Sequence, residues 1–471
     1  MAMKMVPNLE RAVHFAEEQL GGKMGRELKR NISEWHLRLH LTASDGLSKL
    51  AKRWKRACPE LERSVHLVHS SAHEHNMDNR TRTLDRALEM ALHGARDRMR
   101  DFAASIYLPT LLIYTMGVLL PLVIVVILPI LSTINVQVGI IHVVILYCVV
   151  LPISVYMLSN QVLCRRPVAF RSIQISLQPC RFRCAMISLL IFVAFSSAGV
   201  VTGISPDITA LLVLWGGVLA TVFYLYVTTV QAFRRREELV RMENDLCDAL
   251  VQLGNRISEG APAEEALERV SETMDGTELA KVFRNASSNI RFGGMGLRAA
   301  FFDEEKGALR GVHSGAVRGT FRMLVDVIER STRAAGEIIL RMSDHLQKLR
   351  SAEAELRRSM GEIVTSMRSV ALFFAPFVAS VSAQMQEMLS SKATSSGFLN
   401  FSGVSPPAFL LVLGIYVVML TAILVNYMVE IEIGSDWVIK RMAMANALPV
   451  ALGVFTAGAI IGGQIIGIIV G

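Results

Sequence analysis

Seven long apolar runs, free of charge but for Glu387, divide this chain and leave few folds open to it. They fall near residues 106–131, 138–158, 185–204, 208–230, 369–388, 408–429 and 445–470. Each is long enough to cross about 30 Å of hydrocarbon as a helix. Hydrocarbon offers no partners to backbone amides and carbonyls, so a spanning segment must satisfy them internally; runs this long and uniform read as helices rather than barrel strands. Pro109, Pro121 and Pro129 in the first run are expected to bend it without ending it, neighbouring helices taking up the freed carbonyls. A hydrophobic fraction of 52% with a mean hydropathy of +0.41 excludes an ordinary soluble protein. The expected fold class is all-α: a polytopic membrane protein with seven transmembrane helices and two cytoplasmic helical bundles.

Lysine and arginine fix the expected orientation. The connections 132–137 and 205–207 carry none, and 389–407 carries only Lys392. The remaining basic residues fall on the other side, with Arg165, Arg166, Arg171, Arg181 and Arg183 in one loop, and that side is read as cytoplasmic. The expectation is a multi-pass protein of the cell membrane, N-terminus inside and Gly471 outside. The first ten residues carry no apolar core of a signal peptide, so none is expected to be cleaved. A net charge of +8 and a pI near 9.3 follow from this asymmetry and from an anionic inner leaflet, making membrane lipid a partner. No basic motif is interleaved with aromatics, so no nucleic acid is expected.

The implied domains are a helical block at 1–105, four spans at 106–230 with a basic loop at 159–184, a second helical block at 231–368, and three spans at 369–471. The blocks share signatures. Leu9-Glu10-Arg11-Ala12-Val13 is similar to Ala263-Glu264-Glu265-Ala266-Leu267, and Gly25-Arg26-Glu27-Leu28 to Gly276-Thr277-Glu278-Leu279. Each block closes with a long helix leading into a span, which points to an internal duplication. A helix around 238–257, stopped at Gly260, precedes the signature in the second block; the first block has only eight residues there. Either that bundle lacks a helix or the natural chain begins further upstream.

The second closing helix carries a heptad stripe: Ile339, Met342, Leu346, Leu349, Leu356, Met360, Ile363 and Met367, interrupted only by Glu353. Leu84, Leu88, Ala91, Ala95, Met99 and Phe102 form the matching stripe in the first block. Packing inside its own bundle is the favoured use of such a stripe, ahead of an intermolecular coiled coil. Arg350, Glu353, Arg357 and Arg358 supply a charged face and are the candidate partner-binding residues, with a solvated face as the alternative. In the last span Gly458, Gly462, Gly463 and Gly467 recur at four-residue spacing and expose backbone to a close helix neighbour, in the same chain or across a homodimer seam.

No catalytic, cofactor or metal residues emerge. Gly22-Lys23-Met24-Gly25 lacks the spacing and the Lys-Ser/Thr ending that cradle phosphate. His66, His69, His73 and His75 cluster with Glu74, but no Cys or Asp of suitable spacing joins them. The six cysteines form no CxxC pair. The spans contain no acid except Glu387, and His142 is read as a hydrogen-bonded packing residue. Ion-coupled transport needs midplane charges, which counts against a transporter subunit. A signalling receptor needs an outer sensing domain, and 389–407 is too short for one.

The stretch Asn255-Arg-Ile-Ser-Glu-Gly-Ala-Pro-Ala-Glu-Glu-Ala-Leu267, the turn at Gly276-Thr-Glu-Leu279 and Phe374-Ala-Pro-Phe-Val-Ala-Ser-Val-Ser-Ala-Gln384 resemble the F-domain membrane proteins of type II secretion, type IV pili and tight-adherence pili. Ala447-Leu-Pro-Val-Ala-Leu-Gly-Val-Phe-Thr456 looks like the last span of the archaeal duplicated form, which also serves the archaellum. The short N-terminal segment departs from that pattern. The resemblance implies a non-enzymatic platform whose partners are a hexameric secretion ATPase and pilin-like subunits.

Overall fold

The computed structural model describes residue 3 and residues 8–19, 22–36, 43–55, 58–133, 139–164, 181–201, 205–330, 332–396 and 405–470. Arg165, Arg166 and Arg171 of the basic loop lie outside the described residues. No β-strand occurs among the described residues. The chain opens with α1 (Leu9–Gln19), α2 (Gly22–His36), α3 (Ala43–Trp54) and α4 (Pro59–Ala72), then the long α5 (Met77–Tyr114). A π-turn at Thr115–Leu119 leads to α6 (Leu120–Thr133). Next come α7 (Ile140–Ile145), a second π-turn at Leu146–Val150, α8 (Leu151–Leu163), α9 (Arg181–Val201) and α10 (Pro206–Ser258). The second block holds α11 (Ala263–Thr273), α12 (Glu278–Arg291), α13 (Leu297–Phe302), α14 (Gly315–Arg330) and α15 (Thr332–Ser369). A third π-turn at Val370–Phe374 precedes α16 (Ala375–Ser396), α17 (Pro406–Glu432) and α18 (Trp437–Val470).

Seven helical stretches are long and apolar enough to cross a membrane: Met77–Val125, Ile140–Leu163, Phe182–Gly199, Pro206–Ser258, Ala335–Met388, Pro406–Glu432 and Trp437–Gln464. Each coincides with one of the seven runs in the sequence. The fourth is longer than its run, because the span and the helix expected at 238–257 are one rod of 53 residues. That rod stops at Gly260 by local chemistry. Gly260 adopts φ +91°, its amide bonds the Ile257 carbonyl, and the Ala261 amide bonds that of Arg256. This paired closure satisfies two carbonyls left orphaned at a helix end and needs a residue tolerant of positive φ.

The chain forms two compact units: Met1–Met99 with Arg235–Leu356, and Arg100–Arg234 with Arg357–Gly471. Within the first, the second block has the larger core. Leu250, Leu253, Leu267, Leu279, Phe283, Phe301, Phe321 and Leu324 are fully buried. The Phe321 ring lies 5.5 Å from that of Phe283 and 5.1 Å from that of Phe301; burying one such ring contributes about 1.5–3 kcal/mol. The first block is built on Val13, Leu28, Ile32 and Leu50, flanked by Trp35 and Trp54. The Trp54 indole donates to Glu27 at 2.8 Å.

The parts of the two blocks recur in order, but not every signature does the same job. Leu28 and Leu279 are both core residues. Gly276 makes a turn at φ +87°, followed by Thr277, whose hydroxyl caps α12 by accepting from the Ala280 amide. Gly25 instead sits within α2. The closing helices agree more closely. α5 and α15 are each 38 residues long, and each runs into a five-residue π-turn.

Helices α10 and α15 cross at bare backbone. A Cβ on Gly336 would lie 2.2 Å from Ser258 Oγ and 2.8 Å from the Gly254 carbonyl. Across the same crossing, the Ser343 hydroxyl donates to the Cys247 carbonyl at 2.9 Å.

In the second unit α17 is the most buried span, with Phe409, Leu413, Tyr416, Leu420, Leu424 and Tyr427 enclosed. Gly414 leaves room for Leu214, whose methyl would lie 2.2 Å from a Cβ there. α9 packs on α10, where Ser188 donates to the Ala220 carbonyl at 2.7 Å, and leaves Phe182, Leu189, Leu190 and Val193 exposed. In a bilayer such a face meets lipid.

Candidate functional site

The residues singled out by sequence lie on α15 and α18. On α15 the buried line runs through Ala335, Ile339, Met342, Ala352, Met360, Val364 and Met367. Leu349, expected in the stripe, is 39% exposed, and Ala352 takes the inward place. The inward place therefore falls one residue before Glu353, which is half-buried.

Charged groups tie α15 to its neighbours in the first unit. Arg350 donates to the Asn244 carbonyl of α10 at 2.5 Å. His345, side chain 7% exposed, has Nε2 3.5 Å from Asp85 of α5. Arg96 of α5 pairs with Glu355 at 3.2 Å. The first and second closing helices are thus linked at two levels. A part-exposed pair such as Arg96–Glu355 contributes about 0–1 kcal/mol, so these links set register more than they add stability. Arg357 and Arg358 are exposed.

On α18, Gly458 and Gly462 face α16 of the same chain. A Cβ on Gly458 would lie 2.1 Å from Ser380 Oγ, and one on Gly462 2.7 Å from Gln384 Cγ. Gln384 uses this proximity: its amide donates to the Ala459 carbonyl at 3.0 Å. Gly463 is more open, 3.8 Å from Gln384 Oε1. Gly467 is helical, and its surroundings lie outside the described residues.

A cavity of about 320 Å³ opens among α10, α16, α17 and α18, lined by Asp207, Gln384, Glu387, Leu410, Ile460 and Gln464 with their neighbours. Asp207 and Pro406 stand at the first turns of α10 and α17, so the cavity's acids lie near span ends rather than mid-span. Among the described residues no group of three His, Cys, Asp or Glu side chains could hold a metal ion. His69 and His73 stack at 5.2 Å between ring centres.

The second block's surface is held by ion pairs. Arg298 donates to Asp326 and to Glu329, and these bonds, with Asp326 foremost, raise its pKa further. The Asp303 carboxylate accepts from the amides of Glu305 and Lys306 at 2.9 Å each. Those bonds hold its carboxyl below the ordinary range.

The bundle that ends in the Phe283–Phe301–Phe321 core, together with the rod leaving it, corresponds to a known module. Residues 249–383 match the family model described as type II secretion system (T2SS), protein F. This stretch is similar to an F domain. Its match begins in α10, takes in α11 to α15 and ends in α16. An F domain indicates a membrane platform protein of a T2SS or type IV pilus-like machine. No curated protein and no solved structure matches the chain.

Three features of the F domain were not legible in the sequence: the Gly254–Gly336 crossing, the π-turn at its membrane end, and the commitment of Arg350 to backbone. Glycine spacing alone could have flagged the first, since Gly254 and Gly336 sit on helices predicted to be neighbours in one bundle.

Proposed function

We propose that the chain is the platform of a type IV pilus-like assembly machine, coupling a hexameric cytoplasmic ATPase to the insertion of pilin-like subunits, without enzymatic activity of its own. The observation that carries this is the F domain itself, built so that α15 is one 38-residue helix leading through a single π-turn into a membrane helix. A stiff helix transmits displacement from a partner to the bilayer without chemistry. Arg357 and Arg358, exposed at the far end of α15 from Thr332, form the docking face for an acidic patch on the motor. Both helical blocks face the cytoplasm in this reading, and Gly471 lies outside.

Orientation is tested by single cysteines in intact cells. Ser205→Cys, just ahead of α10, is expected to react with an impermeant maleimide, and Glu304→Cys in the second block is not. Ser314 would serve poorly as the inner site, being 2% exposed with its hydroxyl donating to Glu243. Labelling at Glu304 would reverse the topology.

The energy source is tested separately. Purified protein should hydrolyse no ATP, since it carries no phosphate-cradling loop. Deleting it should abolish filament assembly, as should deleting the partner ATPase. Turnover that survives rigorous removal of contaminating ATPases rules the platform reading out.

A further inference from the structure

Three membrane helices widen from α to π for one turn, at Thr115–Leu119, Leu146–Val150 and Val370–Phe374. In each case one residue intervenes and then comes a proline: Pro121, Pro152 and Pro376. Each π-turn closes with a bond five residues long, from the amides of Leu120, Leu151 and Ala375 to the carbonyls of Thr115, Leu146 and Val370. Proline lacks an amide and its ring clashes with the carbonyl four residues back, so a wider turn relieves the contact. Proline alone does not impose the change. Pro109 and Pro449 sit inside uninterrupted α-helix.

The three π-turns share a neighbour, α17, which the helices carrying Pro109 and Pro449 also touch. The second and third π-turns pack on α17. The first meets it through Gly117, which faces Leu420, and whose carbonyl accepts the Tyr416 hydroxyl. Gly117 lies four residues before Pro121, so Tyr416 supplies the donor that proline removed. Tyr147, within the second π-turn, donates to the Pro121 carbonyl at 2.7 Å. Its ring stands edge-on to those of Tyr416 and Phe409, at 5.7 and 6.1 Å. α17 itself has prolines only in its first turn, making it a straight post.

We propose that these three proline-linked π-turns are hinges arranged around α17, and that bending there converts motion of α5 and α15 into movement of the membrane helices. This rests on the platform reading above. Tyr416 and Tyr147 are its positioning residues: Tyr416 holds the freed Gly117 carbonyl without locking it as an amide would, and Tyr147 holds the carbonyl of Pro121 itself. Sites where a helix carries an i→i+5 turn bend more readily than regular helix.

The test is a cycle on Pro121 and Tyr416 in the full chain. Pro121→Ala restores an amide able to close onto the Gly117 carbonyl. Amides of residues 117–120 should then exchange about five- to tenfold more slowly in micelles than in the unsubstituted chain, the worth of one regained hydrogen bond. Tyr416→Phe alone leaves that carbonyl unpaired and should speed exchange, while the double variant Pro121→Ala/Tyr416→Phe recovers protection. Pro121→Ala/Pro376→Ala should insert normally and assemble few or no filaments. Unchanged exchange in Pro121→Ala, or full assembly by the inserted double-proline variant, overturns the hinge proposal. A whole-chain deletion that leaves assembly intact sinks the platform reading instead, so the two failures are distinguishable.

Discussion

Gly336→Leu is expected to destabilise the first unit by about 3 kcal/mol, although helix propensity alone favours leucine by about 1 kcal/mol. The Cβ it introduces meets, besides the Ser258 hydroxyl, backbone that cannot swing aside: Ser258 N at 2.6 Å and the Gly254 carbonyl at 2.8 Å. Relief requires α10 and α15 to separate, and separation opens the cluster that includes Leu253, Ile257 and Ile339. The control lies on the same helix: Gly361 has nothing within 4 Å of a built Cβ. Gly361→Ala should therefore stabilise by about 0.5–1 kcal/mol. Thermal unfolding in detergent, or limited proteolysis of the soluble block, measures both. Equal effects of the two variants would mean that the crossing is not close-packed.

The second large effect is on assembly. Ala354→Pro removes one backbone hydrogen bond from the middle of α15 and sets a ring against the preceding turn, at a local cost of about 3 kcal/mol. Ala354 is exposed, so the change acts on the rod and not on the core. It lies between Ala352, where the buried line has just shifted register, and Glu355, which pairs with Arg96. Protein carrying Ala354→Pro should still reach the membrane, because the spans are set by their own hydropathy, while filament assembly is lost. Ala354→Leu keeps the helix and should be mild. Normal assembly by Ala354→Pro means that force does not travel along α15.

Hydropathy made the seven apolar stretches legible, since length and apolarity are the terms on which a bilayer selects helices, but not the bounds of the much longer helices to which the first, fourth and fifth belong. The heptad stripe was legible where large side chains carried it, at Ile339, Met342, Met360 and Met367. It misled at Leu349, because burial there is decided by the small Ala352 packing closely, and size is not what periodicity weighs. The π-turn beside Pro121 was not legible: it depends on donors such as Tyr416, 299 residues from the Gly117 carbonyl in sequence. Glycines announced close approach at Gly458 and Gly462 without naming Ser380 and Gln384 as what approaches. Side-chain commitments such as Arg350 to Asn244 were invisible, because a charged residue on a helix looks solvated until a neighbour's backbone is placed beside it.

The matched lengths of α5 and α15 carry a consequence of parity. Each is followed by two further candidate spans: Ile140–Leu163 and Phe182–Gly199 after the first, Pro406–Glu432 and Trp437–Gln464 after the second. A unit that crosses three times leaves the chain on the far side, so a copy joined directly to it would insert upside down. The membrane segment of α10 is the one crossing that belongs to neither set, and it makes the number between the two 38-residue rods even. If all seven stretches cross the bilayer, both rods enter it from the same side, as in transporters whose halves repeat in parallel rather than inverted. In the platform reading proposed above, that even number lets one motor address both rods from the same side, and one odd helix is the minimum insertion that achieves it.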